Sequence, residues 1–330
     1  MTAGFFASAV PAMAEELNLY SSRHYKTDEA LYDNFTEQTG IKINRIEGKG
    51  DALIERIIAE GDNSPADVFL TVDAARLYRA DQAGLFQPLE SAVLDEKIPA
   101  ALRHPDGHWY GFSTRARLIY FNKDKVQEGE LAAYEDLADP KWAGRVCIRS
   151  SSNVYNQSLL GSIIAAKGEG PAKDWAGAVK DNFARDPAGG DTDQIRAVAA
   201  GECDVAVANS YYFVRLMTSD KDEDKAVAEK VGWVFPNQSD RGTHVNVSGG
   251  GVLKNAPNRD AAVKFLEYLA SADAQRYFAD GNNEYPAVSD VPANSPLATL
   301  GEFKADDVNL AVIGENQPTA QKVFDQVGWQ

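Results

Sequence analysis

The chain has 330 residues, 44% of them hydrophobic, enough for two domains and a large core. Acidic residues outnumber Lys and Arg 49 to 33, leaving a net charge of −16. So acidic a surface argues against nucleic acid or anionic membrane as partner, because both require positive charge, and suits a protein that meets cations.

Met1 to Ala14 carries no charge and ends in Ala12-Met13-Ala14, a signal-peptidase type of site. It reads as the tail of a secretory signal peptide, with the mature, extracytoplasmic protein starting at Glu15. No other stretch is apolar enough to span a membrane. Leu17–Tyr20 alternates like a first strand and runs into the polar loop Ser21–Tyr25. Thr27 is placed to cap a helix in which Leu31 and Phe35 pair and which Gly40 closes. Ile41–Ile43 begins a second strand. Leu53, Ile54, Ile57 and Ile58 recur at helical spacing up to Gly61. Ala66–Thr71 predicts a third strand and Ala74–Ala83 a third helix. This alternation implies a parallel sheet with helices on its faces.

Trp109–Asn122 is one long β-rich run, long enough to cross from one domain to the next. Alternation then restarts. Arg145–Arg149 reads as a strand, and Leu159, Leu160, Ile163 and Ile164 mark a helix ended by Gly168. Trp175, Val179 and Phe183 line one face of another helix, and Asp191–Ala200 a further one. Val205–Ala208 is continuously apolar, as in a strand buried on both faces. Asn209 and Ser210 are good caps for a helix beginning with Tyr211 and Tyr212. That puts two tyrosines at a strand's carboxyl end, where open α/β sheets bind ligands, although tyrosines there also serve simply to cover a core. Val231–Phe235 and the glycine-containing His244–Leu253 are strands; Ala261–Ala270 and roughly 319–326 are helices. Two lobes without a flexible linker, joined by crossing strands, place the binding site in the cleft between them.

Cys147 and Cys203 lie in or beside predicted strands, and an oxidising compartment favours a disulfide over two buried thiols. Closing that loop stabilises the fold by about 4 kcal/mol in the chain-entropy model.

Several segments together resemble the periplasmic ferric iron-binding proteins of bacterial ABC importers. They are Ser22-Arg-His-Tyr25, Ala66–Phe69, Trp109–Arg117, Tyr134–Gly144, Ser150–Tyr155, Asn209-Ser-Tyr-Tyr212, His244–Gly251 and Asn283–Ala287. The Arg-His-Tyr and Ser-Tyr-Tyr elements are the specific ones, and the chain is most similar to the cyanobacterial-style group. The resemblance implies a type II periplasmic binding protein: α/β, two lobes, each a mixed or parallel sheet flanked by helices. One lobe would hold residues 15–114 plus about 245–290, the other 115–244 plus about 291–330. By the same resemblance His24, Tyr25, Tyr155, Tyr211 and Tyr212 would bind iron, with Arg115 beside the metal. Fe3+ is the implied cargo, Fe2+ being left open. An inner-membrane ABC permease is the implied partner, and a monomeric protein that is not an enzyme is expected.

The chemistry is consistent with this. Ferric iron is a hard cation that favours anionic oxygen. A phenol ionises near pH 10, but a trivalent charge at bonding distance overturns that order. Four phenolates around Fe3+ leave one negative charge, which a guanidinium such as Arg115 would balance. Arg115 and Arg117 are read as facing opposite sides of their strand, so that only one reaches the cleft. Sequence spacing offers no rival metal set. His104 and His108 flank the turn Pro105-Asp-Gly107 as surface residues, and His244 opens a strand as a structural one. Ser150–Asn153 precedes a helix whose start would attract an anion, with simple capping the expectation. Two other readings stay open. The tyrosines would also suit an aromatic platform for an organic cation such as thiamine or a polyamine. An enzyme would need a nucleophile elbow or phosphate loop that is absent from the sequence.

Overall fold

The computed structural model describes residues 15–23, 25, 27–292 and 295–330. Met1–Ala14 and His24 therefore lie outside the described residues. The strands are β1 Glu16–Ser21, β2 Lys42–Glu47, β3 Val68–Val72, β4 Tyr110–Asn122 and β5 Val146–Cys147. They continue with β6 Val205–Asn209, β7 Val231–Val234, β8 Val245–Val252 and β9 Tyr285–Pro286.

β4 is the spine. The strand order is β2-β1-β3-β8-β4-β6-β5, with β7 and β9 also pairing to β4. Its first half, residues 110–116, runs antiparallel to β8, and its second half, 117–122, runs antiparallel to β6 and β7. β1, β2 and β3 are mutually parallel, as are β5 and β6. A mixed sheet thus forms on each side of one shared strand. Except for intermediate Phe121, β4 is buried along its length, including Ser113, Thr114, Arg115, Arg117 and Asn122.

Helices cover both faces. Asp28–Thr39, Arg259–Leu269 and Ala272–Asn282 bury Leu31, Phe35, Phe265 and Phe278 against the first part of the sheet. Val154–Lys167 and Glu169–Asp181 bury Leu160, Ile163 and Val179 against the second. Leu310–Glu315 packs on both Ala74–Gln82 and Val154–Lys167, so it touches the two halves at once.

Several local expectations change. Thr27 precedes its helix, but its hydroxyl donates to Asn282 Oδ1 at 2.6 Å and caps nothing. Asn209 likewise makes no side-chain cap; its Oδ1 accepts from Arg117 Nη1 at 2.9 Å. The strand expected over 145–149 shrinks to two residues. Phe183 lies beyond its helix and packs edge-on against Trp329. Ile58 sits one step off the buried face of Gly50–Glu60 and is exposed. Cys147 and Cys203 are bonded, with Cα atoms 5.8 Å apart and both residues buried.

Candidate metal centre

The sheet delivers tyrosines to one place from three directions. Tyr25 follows β1 in the loop before helix Asp28–Thr39. Tyr155 stands in the first turn of Val154–Lys167, where Asn153 Oδ1 accepts the Tyr155 N–H at 3.1 Å. Tyr211 and Tyr212 open the helix Ser210–Met217 directly off β6, a strand with no exposed surface from Val205 to Ala208. The Tyr155 and Tyr211 hydroxyl oxygens lie 3.4 Å apart, and the Tyr211 and Tyr212 ring centres 4.1 Å apart. The Arg215 guanidinium carbon is 5.1 Å from the Tyr25 ring centre and 4.9 Å from that of Tyr211. One cation therefore spans rings from both halves of the molecule.

The phenols of Tyr25, Tyr211 and Tyr212 are held neutral. Burial pushes Tyr211 well above the ordinary value, and the neighbouring Tyr155, Tyr25 and Tyr212 push it further. Burial likewise raises Tyr212 and Tyr25; for Tyr25 the Glu284 carboxylate adds to the rise while Arg23 and Arg115 oppose it. A cation bound here would have to displace protons.

Guanidiniums surround the cluster. Those of Arg115, Arg117 and Arg149 lie 5.7, 5.8 and 5.5 Å from the Tyr155 ring centre. The expectation that Arg115 and Arg117 point to opposite sides fails for a geometric reason: residues two apart on a strand share a face. Each has its own anchor. Arg115 donates to Ser248 Oγ at 2.9 Å and the Val247 carbonyl at 2.8 Å, and lies 3.6 Å from Glu284. Arg117 donates to Asp191 at 3.1 Å and to Asn156 Oδ1 at 2.7 Å, and Arg149 takes the other Asp191 oxygen at 3.2 Å.

Arg23, immediately before His24, is fully buried. It donates through Nε and Nη2 to both Asp28 oxygens at 3.1 Å, and through Nη1 to Glu284 at 3.0 Å. Glu284 also accepts from Ser113 Oγ at 2.6 Å. Burial alone would raise the Glu284 carboxyl, but Arg23 and Arg115 overcome it and hold it below its usual range. Arg23, Arg149, Arg215, Asp191 and Glu284 were given no site role from the sequence. Glu284 lies inside the Asn283–Ala287 segment already singled out, so its position beside Tyr-Pro was the available signal.

His244 is buried just before β8, as a structural residue would be. His104 and His108 are not plain surface residues: they are half-buried and stacked on one another beside Asp81.

Residues 63–305 match the family of bacterial extracellular solute-binding proteins. The chain belongs to that family. Among its relatives is iron uptake protein A1 of Synechocystis, 55% identical over 97% of this chain and 89% of that protein. The fold is similar to a Trichodesmium protein solved in complex with iron and citrate. That protein is 60% identical, with a TM-score of 0.93 over 96% of this chain and 100% of the other. A ferric binding protein from Campylobacter jejuni is 42% identical, with a TM-score of 0.89 over 95% and 100% of the two chains. These family members share the two-lobed α/β architecture built here around β4.

Proposed function

We infer that this protein captures ferric iron outside the cytoplasm, in the periplasm, and delivers it to the inner-membrane permease of an ABC importer. The observation that carries the reading is a charge balance. The guanidiniums of Arg23, Arg115, Arg117 and Arg149 face the carboxylates of Asp28, Glu284 and Asp191, and that of Arg215 lies over the Tyr25 and Tyr211 rings, so positive charge is in excess around the rings. Four phenolates around Fe3+ leave one negative charge, which that positive excess offsets in a setting where uncompensated charge is costly. We assign Tyr25, Tyr155, Tyr211 and Tyr212 as ligands, with Arg115 beside the metal. His24 is assigned as the fifth ligand from the resemblance carried by the Arg23-His24-Tyr25 element.

The organic-cation reading is disfavoured by the same surroundings. The carboxylates near the rings are each engaged by arginine, and an added organic cation would meet guanidiniums. We further propose that residues 15–114 with 245–290 and residues 115–244 with 291–330 move as two lobes about the β4 and β8 crossings. The protein is proposed to act as a monomeric carrier, without catalytic activity or a nucleic-acid partner. Calorimetry with ferric citrate, thiamine and spermidine tests the assignment. Tight uptake of iron alone is expected; binding of either amine with no response to iron would reverse it.

A further inference from the structure

Away from the tyrosines, Asp81, His104 and His108 present metal-ligating atoms that all lie within 4.8 Å of one another. Asp81 sits in the last turn of helix Ala74–Gln82. The two histidines flank a tight turn closed by the Gly107 N–H donating to the His104 carbonyl at 3.0 Å. The His104 N–H in turn donates to the Trp109 carbonyl at 2.9 Å, and Arg103 bridges Tyr110, so the turn ends a short hairpin. Gly107 has φ +72°, and a Cβ there would lie 2.5 Å from the Leu89 carbonyl oxygen. The backbone that carries both imidazoles is thus fixed by its own bonds and its packing.

The rings are parallel within 4°, with centres 4.6 Å apart, and Trp109 meets His104 edge-on. Both aim at one carboxylate: His108 Nδ1 is 2.5 Å from Asp81 Oδ1, and His104 Nε2 is 3.6 Å from Oδ2. The side chains keep 13–28% of their surface exposed, enough for an ion to enter. Glu315, on the helix packed against Ala74–Gln82, adds negative field at His104. Two stacked imidazoles cannot both be charged over a single carboxylate without repulsion, whereas one divalent ion between the three groups satisfies all of them.

We propose that Asp81, His104 and His108 form a second cation site, for a divalent late transition-metal ion of the zinc type. Imidazole with one carboxylate suits such borderline cations, in contrast to the phenolate set proposed for ferric iron. Three protein ligands leave a fourth position open to water. With metal–ligand bonds of about 2.0–2.1 Å the donor atoms stand roughly 3.3 Å apart, so the Asp81–His108 contact opens, His104 closes slightly, and the rings tilt out of parallel to bring both lone pairs onto the ion. The Asp106 N–H now donates to His104 Nδ1 at 3.1 Å, which keeps the ring proton on Nε2. Metal at Nε2 displaces that proton to Nδ1 through solvent, and the Asp106 amide turns to water. The affinity is therefore expected to be micromolar rather than nanomolar.

Zinc is to be titrated into the full chain, iron-free and iron-saturated, by calorimetry and by equilibrium dialysis with elemental analysis. The comparison proteins are Asp81→Asn, His108→Gln and the His104→Gln/His108→Gln pair. The native chain should take up one zinc more than the double variant in both iron states, with the absorption of the iron-loaded protein unchanged. Each single variant should weaken that step at least tenfold. Asp81→Asn preserves shape, so it carries the test if a histidine variant fails to fold. Equal zinc uptake by native chain and variants would overturn the proposal. So would zinc uptake that depends on Tyr212 or expels the iron.

Discussion

Glu284 shows most clearly how single residues set the candidate site. Its carboxylate is shared by Arg23 and Arg115, one beside Tyr25 and the other beside Tyr155. Glu284→Ala would leave two buried guanidiniums short of a partner. It should destabilise the protein by about 3–5 kcal/mol, the usual cost of breaking a buried pair, read from the shift of the urea midpoint. Glu284→Gln keeps the shape and some hydrogen bonds, and should cost less. A loss below about 1 kcal/mol for the alanine variant would mean that the arginines find other partners. At the proposed iron site, Arg115→Gln should lower ferric affinity by tenfold or more, because it removes positive charge beside the anionic phenolate cluster; competition with a chelator measures this.

At the scale of elements, β8 explains its own glycines. A Cβ at Gly250 would lie 2.2 Å from the Phe69 carbonyl oxygen, and one at Gly251 2.1 Å from that of His108. At these two positions the carbonyls leave no room for a Cβ, so Gly250→Ala should cost about 1–3 kcal/mol by overpacking, measured by denaturant unfolding. The disulfide fastens Cys203, two residues before β6, to Cys147 of β5 across 56 positions. Reduction should remove about 4 kcal/mol in the chain-entropy model without changing the sheet, and the gap between oxidised and reduced urea midpoints tests it.

Much of this level was readable in advance. β4, β6 and the helices closed by Gly40, Gly61 and Gly168 follow from apolar runs and stop signals, because burial and chain reversal leave direct marks in sequence. The polar helix Asp222–Lys230 was not read, since Asp224 is its one buried residue and no apolar stripe marks it. Ala272–Asn282 was also missed, although Ser271 caps it in a recognisable way. Tyr211 and Tyr212 are marked by their place at a strand's carboxyl end, whereas Tyr25 and Tyr155 are marked only by the family resemblance. The arginine and carboxylate shell does not stand out, because its pairs join positions up to 261 residues apart, as Arg23 and Glu284 do. The Asp81–His104–His108 group was invisible for the same reason: two elements meet only in the fold.

The whole molecule should respond to acid in two separable ways. His244 is fully buried and held down to about 3, first by burial and then by Arg117, Arg241 and Arg115. The unfolded chain takes up that proton near pH 6.5, the native protein only near 3. This contribution to stability is therefore complete above pH 6.5 and is lost on descending toward 3, at about 1.4 kcal/mol per pH unit. Glu284, held below its usual range, acts in the same direction at lower pH. His244→Gln should flatten the iron-free protein's urea midpoint between pH 6.5 and 3; an unchanged slope would contradict the assignment. Iron binding adds its own dependence. The phenols of Tyr25, Tyr211 and Tyr212 are raised, so as the proposed ligands each would give up a proton to ferric iron, and affinity should fall as pH falls.

The decisive measurement is the visible spectrum of the purified protein loaded with ferric iron. Phenolate coordination predicts an intense charge-transfer band that weakens and shifts in Tyr155→Phe, Tyr211→Phe and Tyr212→Phe and fades on acidification. A colourless ferric complex, or a band that the three variants leave untouched, would contradict the account.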